Sequence, residues 1–398
     1  MTDRSESDGG HHSEPLASRL RSARQSRGLT QQAVADTLGI SRPLLVAIEK
    51  GQRQVRGEEL VQLAKLYDRS VGELLRQQPA LEAFGAQFRA VLSNTREVSQ
   101  LGDVIGQMER LGDDYLHIAR LSGVELPRRY PPTTDMAGLD AVQVATELAS
   151  TERNRLGLGD GPLLGLRELL DDEVGLRIFA LELPPSVAGA FIYAEPLGGC
   201  VAVNRKHPLE RQRWTLAHEY GHFLTNRGGG EVTILRKWER VPAHERFADS
   251  FAAEFLMPQS GLRRRFLELQ RARGGKVTPA DLMQLKSVYQ VSFEALVLRS
   301  EELHLLPRGG GERLLDRGFK PREAEALLGL PRREAYLDLL PLRYRVLAVA
   351  LYHNGDITEG ELARLLRVDR LNARRTYEEM TTSTDVDDAG SPTTIRIA

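Results

Sequence analysis

The chain has 398 residues, a formal net charge of −1 and 41% hydrophobic residues, which is enough for two or three domains with ordinary cores. The single cysteine, Cys200, excludes an internal disulfide and a thiolate metal site, and we expect it to be buried in a strand. No apolar stretch of the sequence is long enough to cross a bilayer, and we expect no signal peptide. We therefore predict a cytoplasmic protein that does not contact a membrane.

Residues 16–75 are predicted to form five short helices, two of them joined by a tight turn. Thr30 begins one helix as its N-cap, Gly39 makes the turn, and Ser41 caps the next helix. Pro43 is tolerated in the first turn of that helix. The buried contacts predicted from helical spacing are Ala35, Leu38, Ile40, Leu45 and Ile48. The segment therefore predicts a helix-turn-helix.

This segment closely resembles the Xre (Cro/C1-type) helix-turn-helix family. The resemblance implies that residues 41–50 are the recognition helix and that Arg42 contacts base edges in the major groove. It also implies phosphate contacts from Gln31 and from Arg53 or Arg56. Pro43 and Leu44 stand where polar residues are common, so we expect few direct contacts to bases and expect some of these contacts to be apolar. The predicted DNA-contacting residues are Gln31, Ser41, Arg42, Pro43, Leu44 and Arg53.

The charge of this segment agrees with a nucleic-acid partner. Residues 16–78 hold eleven Lys or Arg against six Asp or Glu, a net charge of +5, while the whole chain has −1. A local basic excess is what phosphate binding requires. We predict binding to double-stranded operator DNA as a homodimer. The alternative is a helix-turn-helix that only mediates protein contacts.

The middle of the chain, residues 79–135, is predicted to be a helical linker. Apolar residues recur at helical spacing from Leu81 to Leu121. A long amphipathic helix needs a partner surface, so a dimer interface is the alternative to a simple linking pair. Residues 130–134 contain two prolines and predict a boundary.

The motif that predicts chemistry is His218-Glu219-Tyr220-Gly221-His222. On a helix, two histidines four residues apart lie on one face, where both imidazoles can share a metal ion. Glu219 lies beside them, placed to take a proton from water activated by the metal. The alternative for this short string alone is an amphipathic helix whose histidines are satisfied by hydrogen bonds.

A second predicted helix, residues 244–258, offers the remaining ligand. A catalytic zinc takes three protein ligands and keeps one open position. Glu245 is the first choice for the third ligand, and Asp249 is the alternative ligand or the residue that orients an imidazole N–H. His244 and Glu254 are expected to point away, as surface or helix-end residues. Small residues, Ala248 and Ala252, allow the two helices to approach closely.

Both helices resemble the ImmA/IrrE family of metallo-endopeptidases, over roughly residues 140 to 300. The resemblance implies zinc ligands at His218, His222 and Glu245 and a general base at Glu219. Asp249 stands where the family usually has Asn. Residues 199–204 are similar to the edge strand that precedes the family's metal helix. Zinc is the expected cofactor, and manganese is an alternative.

The predicted mechanism is metal-assisted peptide hydrolysis. Zinc lowers the pKa of bound water to about 7, and Glu219 accepts the proton and returns it to the leaving amine. A group that stabilises the oxyanion is also expected. Tyr193, Tyr220 and His207 are candidates by residue type alone.

The C-terminal part, residues 307–380, is predicted to be a small helical domain. Residues 308–311 are expected to be a flexible joint. Residues 356–373 have a sequence pattern typical of a helix-turn-helix. Thr358 caps one helix, and the next carries Arg370, Arg374 and Arg375. This segment is interpreted either as a second DNA-binding element or as a protein-binding helical unit.

The predicted fold is multidomain and mainly α, with a five-helix Cro/C1-type domain, an α+β zincin-like domain with a small sheet, and a C-terminal helical domain. The predicted limits are a disordered tail 1–14, the helix-turn-helix 15–78, the linker 79–135, the metallopeptidase domain 136–306, the helical domain 307–380 and a disordered tail 381–398.

The predicted function is a DNA-binding transcriptional regulator whose zinc endopeptidase domain cuts a repressor, either itself or a partner, in a stress or defence response. Single-stranded DNA is a candidate inducer. The alternative is a repressor or antitoxin-like regulator whose peptidase-like domain is a non-catalytic sensor or partner-binding module.

Overall fold

The computed structural model describes residues 16–67, 69, 71–75, 98–228, 231–234, 241–331, 337–386 and 392–396. The chain splits into two compact units, residues 1–113 and residues 114–398. It is mainly helical with a small sheet in the larger unit, which confirms the predicted fold class. The predicted domain limits stay predictions, and the predicted tail 1–14 lies outside the described residues.

The smaller unit contains the five predicted helices. Thr30 caps the second helix by accepting a hydrogen bond from the Ala33 amide at 3.1 Å, and Gly39 ends it with φ +66°. Ser41 occupies the N-cap position of the third helix without a side-chain capping bond. The helices are α1 (Leu16–Ser26), α2 (Gln31–Leu38), α3 (Arg42–Glu49), α4 (Gly57–Leu66) and α5 (Val71–Leu75). Of the predicted core residues, Ala35, Leu45 and Ile48 are buried, and Leu38 and Ile40 pack against the core.

The larger unit is built around one core of helices and strands. Its strands are β1 (Arg177–Leu181), β2 (Val187–Ala194), β3 (Gly198–Asn204) and β4 (Glu231–Ile234). The helices that surround them are α7 (Ala141–Arg155), α8 (Leu166–Leu169), α9 (Leu209–Thr225), α10 (Ala243–Leu256), α11 (Gln259–Ala272), α12 (Pro279–Tyr289) and α13 (Phe293–Glu302). A π-helical turn (Leu170–Val174) follows α8. A long helix, α6 (Val98–Leu121), precedes them along the chain, and the part of the predicted helical linker over residues 81–97 lies outside the described residues.

The sheet has the strand order β1-β3-β2-β4. β3 runs parallel to β1 and antiparallel to β2, so it lies inside the sheet. The predicted edge position of residues 199–204 is therefore wrong. Every residue of β3 is buried, including Cys200, because the strand is paired on both sides and covered on its faces. Tyr130 packs edge-on against Phe223 at 4.9 Å, so the proline-rich segment around it belongs to this core.

The C-terminal helices are α14 (Gly310–Asp316), α15 (Pro321–Leu327), α16 (Leu342–His353), α17 (Glu359–Leu366) and α18 (Arg370–Thr381). The predicted flexible joint at residues 308–311 is instead ordered. Glu301 accepts hydrogen bonds from the amides of Gly309 and Gly311 at 2.8 and 2.9 Å, which anchors the start of α14. Gly311 also lies against Val297, where a Cβ would come within 2.3 Å of Cγ1.

The end of the chain also differs from its prediction. β5 (Thr382–Val386) pairs antiparallel with β6 (Pro392–Arg396) inside the predicted disordered tail 381–398. The prediction rested on polar composition, but β-branched residues such as Thr and Ile favour strand pairing even where few apolar side chains are available. Among the helices of the described residues, none has the length and apolarity needed to span a membrane.

Candidate metal centre and nucleic-acid interface

Helix α9 carries its functional side chains inside the larger unit. His218, Glu219 and His222 are 4%, 0% and 2% exposed. Helix α10 crosses α9 at close range because both helices present small residues to each other. A Cβ added to Gly221 would lie 3.3 Å from the Ala248 Cα, which is tighter than an ordinary contact. This close approach brings the acidic first turn of α10 to the imidazoles of α9.

The three residues predicted as ligands converge on one point. The Nε2 atoms of His218 and His222 are 3.0 Å apart. Glu245 places Oε2 3.4 Å from the first nitrogen and Oε1 3.8 Å from the second. A tetrahedral zinc bound at about 2.0–2.1 Å holds its ligand atoms about 3.3 Å apart. The donor set therefore fits a divalent metal of this kind, and these are the described residues whose ligand atoms lie within 4.8 Å of one another.

Asp249 contacts the opposite nitrogen of His218. Its Oδ1 lies 3.0 Å from Nδ1, on the side of the ring that faces away from His222. A carboxylate that accepts the Nδ1 proton holds the tautomer in which Nε2 is open to a metal. Glu245, not Asp249, reaches both Nε2 atoms. The geometry therefore favours Glu245 as the third ligand and Asp249 as the residue that orients His218.

Burial and close contact shift the pKa values of the residues in this site. Burial acts to lower the pKa of His218, but hydrogen bonds to Asp249 and Glu245 outweigh burial and raise it to about 10. Burial, and then the charge of His218, lower the pKa of His222 to about 3. The pKa of Glu245 is lowered, because its contact with His218 outweighs its burial. These opposite pKa shifts predict that, near neutral pH and without a metal, the imidazole pair shares one proton.

His244 lies at the rim of this site. The sequence predicted that it would be a surface or helix-end residue pointing away from the metal. Its Nε2 is 3.7 Å from Glu245 Oε1, and its ring centroid lies 6.0 Å from that of His222. Half of its side chain is exposed. It stands in the first turn of α10 and is exposed, as expected for a surface or helix-end residue, but it does not point away from Glu245. Glu254, also predicted to be a surface or helix-end residue, lies in the last turn of α10 but is buried and paired with Arg299.

Gly189 is a site residue that sequence reasoning missed. A Cβ at this position of β2 would meet Glu219 Oε1 at 3.0 Å and Thr215 Cγ2 at 2.5 Å. The strand backbone therefore forms one wall against the Glu219 carboxylate. A glycine inside a strand signals close backbone approach, and this was the signal available in the sequence.

Two of the three candidates for an oxyanion partner make polar contacts elsewhere, and the third packs its ring against another tyrosine. The Tyr220 hydroxyl donates to Glu152 Oε2 at 2.6 Å. His207 Nε2 lies 3.2 Å from the Pro185 carbonyl oxygen. Tyr193 packs edge-on against Tyr130, with ring centroids 6.4 Å apart. None of these contacts involves the three converging residues.

In the smaller unit, the start of α2 and the start of α3 form one basic concavity. A cleft of about 390 Å³ is lined by Arg21, Arg24, Thr30, Gln31, Gln32 and Arg42. Ser41, Arg42 and Pro43 are exposed, and Leu44 is half-buried. A buried ion pair lies beneath them, in which Arg24 donates to both oxygens of Glu49 at 2.6 and 3.0 Å.

Two of the predicted phosphate ligands have internal partners. The Gln31 amide donates to Glu49 Oε2 at 2.9 Å. Both Nη atoms of Arg53 donate to Glu59 at 2.9 Å, while Arg56 is exposed. Arg42 and Arg56 therefore offer their charge to solvent more directly than Arg53 does. The assignment of DNA contacts stays a prediction.

Comparison with known proteins matches two segments of the chain. Residues 20–74 match the helix-turn-helix family, and residues 171–301 match the family of the IrrE N-terminal-like domain, a peptidase family. An uncharacterized HTH-type transcriptional regulator of Bacillus subtilis (strain 168), YqaE, is 33% identical over 75 residues. The match covers 19% of this chain and 65% of YqaE, less than two thirds of that relative's length. The chain thus combines one segment, residues 20–74, that is similar to the helix-turn-helix family with another, residues 171–301, that is similar to the family of the IrrE N-terminal-like domain.

Proposed function

We propose that the chain is a DNA-binding transcriptional regulator whose IrrE-like domain is a zinc-dependent endopeptidase. The observation that carries the proposal is the convergence of His218, His222 and Glu245 within 4.8 Å, with Glu219 on the same helix. A family match alone supports a fold, whereas this donor set supports chemistry. The helix-turn-helix match and the basic cleft support double-stranded operator DNA as a partner.

The roles of the residues follow from their contacts. His218, His222 and Glu245 would hold the metal, and Asp249 would orient His218. A bound zinc supplies Lewis acidity, which makes a water more acidic and polarises a peptide carbonyl. Glu219 accepts the water's proton at its carboxylate and returns it to the leaving amine. The wall formed by Gly189 limits the positions that this carboxylate can take.

The protein substrate proposed is a repressor, either this chain or its partner. Cutting between the DNA-binding segment and the rest would release an operator, and single-stranded DNA is the proposed inducer in a stress or defence response. We also propose that the chain binds its operator as a homodimer, because helix-turn-helix proteins commonly recognise two half-sites.

A second function, a non-catalytic sensor, is favoured by one observation. Glu219 is fully buried and both imidazoles are nearly so, which leaves a peptide little access to the base. A sensor needs the metal or partner site but not the base. Operator release would then be independent of Glu219.

The test uses the purified full-length chain. Metal content is measured first, and the chain is then incubated with zinc or manganese, with and without single-stranded DNA, and examined for fragments by mass spectrometry. We expect fragments from the wild type and none from Glu219→Gln, which keeps its metal. Fragments that persist in Glu219→Gln would contradict the enzymatic proposal. Operator release without cutting, unchanged in Glu219→Gln, would establish the sensor.

A further inference from the structure

The C-terminal helices α17 and α18 repeat the backbone pattern of α2 and α3. Thr30 and Thr358 are the N-caps of α2 and α17, and each hydroxyl accepts the amide proton of the residue three positions later, at 3.1 and 3.2 Å. Both helices have eight residues. The two segments therefore start in register, at an offset of 328 residues.

The turns that follow are the same length and have the same backbone conformation. Gly39 ends α2 with φ +66°, and Arg367 ends α17 with φ +59°. Three residues separate the helices in each pair, and the second helix begins at Arg42 in one case and at Arg370 in the other. A left-handed arginine is uncommon, so this turn is imposed by the packing of the helices.

The residues that hold each helix pair together also coincide. Three sets of equivalent positions, each related by the offset of 328, are buried in both helix pairs. They are Val34 with Leu362, Ala35 with Ala363, and Leu45 with Ala373. Helix α16 packs beneath the second pair, where the Tyr344 hydroxyl donates to the Leu365 carbonyl at 3.1 Å. Cap, helix length, turn and core positions thus agree, and together they define a helix-turn-helix.

Helix α18 turns a basic surface to solvent. Ala373 is its buried residue, and residues 370–375 contain three arginines and no carboxylate. All three arginines are exposed. The first turns of the second helix are the part of a helix-turn-helix that enters the major groove, and arginine bonds to guanine edges and to phosphates. A protein interface would instead need an apolar centre, and Leu371 is the one large apolar side chain that this half of the helix exposes.

We propose that α17 and α18 form a second helix-turn-helix that binds double-stranded DNA through Arg370, Arg374 and Arg375. Nothing in this assignment depends on the peptidase. Arg364 and Arg367 take no part in it, because both donate to the buried Asp114 carboxylate at 3.0 and 2.7 Å.

Two carboxylates weaken this second element relative to the first. Arg375 donates a hydrogen bond to Glu379 at 2.9 Å on the exposed surface, and Glu359 has the larger effect. Glu359 stands where α2 has Gln31, and it accepts two hydrogen bonds from Arg374, at 2.6 and 3.2 Å. Arg370 lies over the next residue, since a Cβ at Gly360 would come within 3.3 Å of its Nη2. Glu359 therefore holds Arg374 at the start of α17, but its negative charge would repel a DNA phosphate there. Replacing it by Gln would release Arg374 and reproduce the charge of the N-terminal element.

The test measures DNA binding by the full-length chain after the N-terminal element has been weakened. In an Arg21→Ala, Arg42→Ala background, the affinity for a fluorescent mixed-sequence duplex is measured by anisotropy between 50 and 200 mM salt. We expect the further triple change Arg370→Ala, Arg374→Ala, Arg375→Ala to lower affinity on the order of tenfold and to reduce the salt slope by about 2 to 3. We expect Glu359→Gln to raise affinity several-fold.

The matched control is Arg271→Ala, Arg317→Ala, Arg322→Ala, which removes the same charge from exposed sites elsewhere. It should change affinity little. Equal losses in the two triple variants would overturn the proposal, because net charge alone would explain them. An affinity unchanged by both the α18 triple and Glu359→Gln would also overturn it, and would leave α18 as a protein-binding surface. A gain in Glu359→Gln cannot arise from misfolding.

Discussion

The helices of the candidate metal site, α9 and α10, and the helices of the proposed DNA-binding element, α2 and α3, present their candidate functional side chains in opposite ways. His218 and His222 are almost fully buried and are positioned by residues of the neighbouring helix, whereas Arg42 is exposed and is positioned by the backbone that carries it. The geometry of the candidate metal site on α9 and α10 depends on how those helices pack. Any binding of DNA by α2 and α3 depends on exposed charges, whose interactions are screened by solvent. Mutations near the metal should therefore have larger and less additive effects than mutations on α3.

The largest effect is expected from removing a ligand. His222→Ala deletes one of three donors from a buried site, and we expect zinc binding to become undetectable at micromolar concentrations. Zinc stoichiometry after dialysis measures this. The control is His244→Ala, whose side chain is half exposed at the rim, and which should keep the metal. Retention of stoichiometric zinc by His222→Ala would show that the site has a different ligand set.

The second-largest effect on activity is expected from Gly189→Ala, which leaves every proposed metal ligand in place. Gly189→Ala introduces a methyl group against Glu219 and Thr215, and displacing a catalytic group by about 1 Å can cost about 100-fold in rate. We expect peptide cutting to fall by about this factor while zinc content stays normal. Gly228→Ala, which has open space around its Cβ, is the control. A normal rate in Gly189→Ala would mean that the strand does not position the base.

The orienting contact should contribute less than a ligand. Asp249→Ala removes the acceptor that holds the His218 tautomer, and the expected loss in zinc affinity is about 10- to 100-fold. Asp249→Asn keeps an oxygen acceptor and should lose much less. Zinc competition with a chelator measures both variants. Equal losses in the two would assign the effect to the charge of Asp249 and not to its hydrogen bond.

The pH dependence of zinc binding tests the shared proton. A His218 pKa of about 10 and a His222 pKa of about 3 predict that the imidazole pair carries one proton at pH 7 in the absence of metal. Zinc binding must then release one proton from these ligands, so affinity should rise about tenfold per pH unit between pH 6 and 8. Calorimetry in buffers of different ionisation enthalpy counts the proton. An affinity independent of pH would contradict the protonated pair.

The smallest effects are expected on the exposed helices. Arg42→Ala should lower operator affinity about tenfold and relax specificity at one base pair. Arg53→Ala should cost about two- to threefold and affect all sequences equally, because its guanidinium is already paired with Glu59. Binding to operator and to scrambled duplexes separates the two. A larger loss for Arg53→Ala would mean that its ion pair opens when DNA binds.

Local patterns in the sequence predicted the helices and their chemistry. The spacing of His218 and His222 predicted one face of a helix, and Thr30 and Gly39 predicted the limits of α2, which the structure confirms. Such features depend on residues within one or two turns of one another, so they can be recognised without the fold.

What depended on distant residues was decided by the tertiary structure. The proximity of Glu245 to both imidazoles, on which its proposal as the third ligand rests, depends on how α10 crosses α9. The closeness of Gly189 to Glu219 depends on how β2 packs against that helix. The interior position of β3 and the order at residues 308–311 are likewise set by partners far away in the chain. The amino-acid pattern supplies the groups and the local geometry, while the crossing of two helices supplies the distances at which those groups can act together.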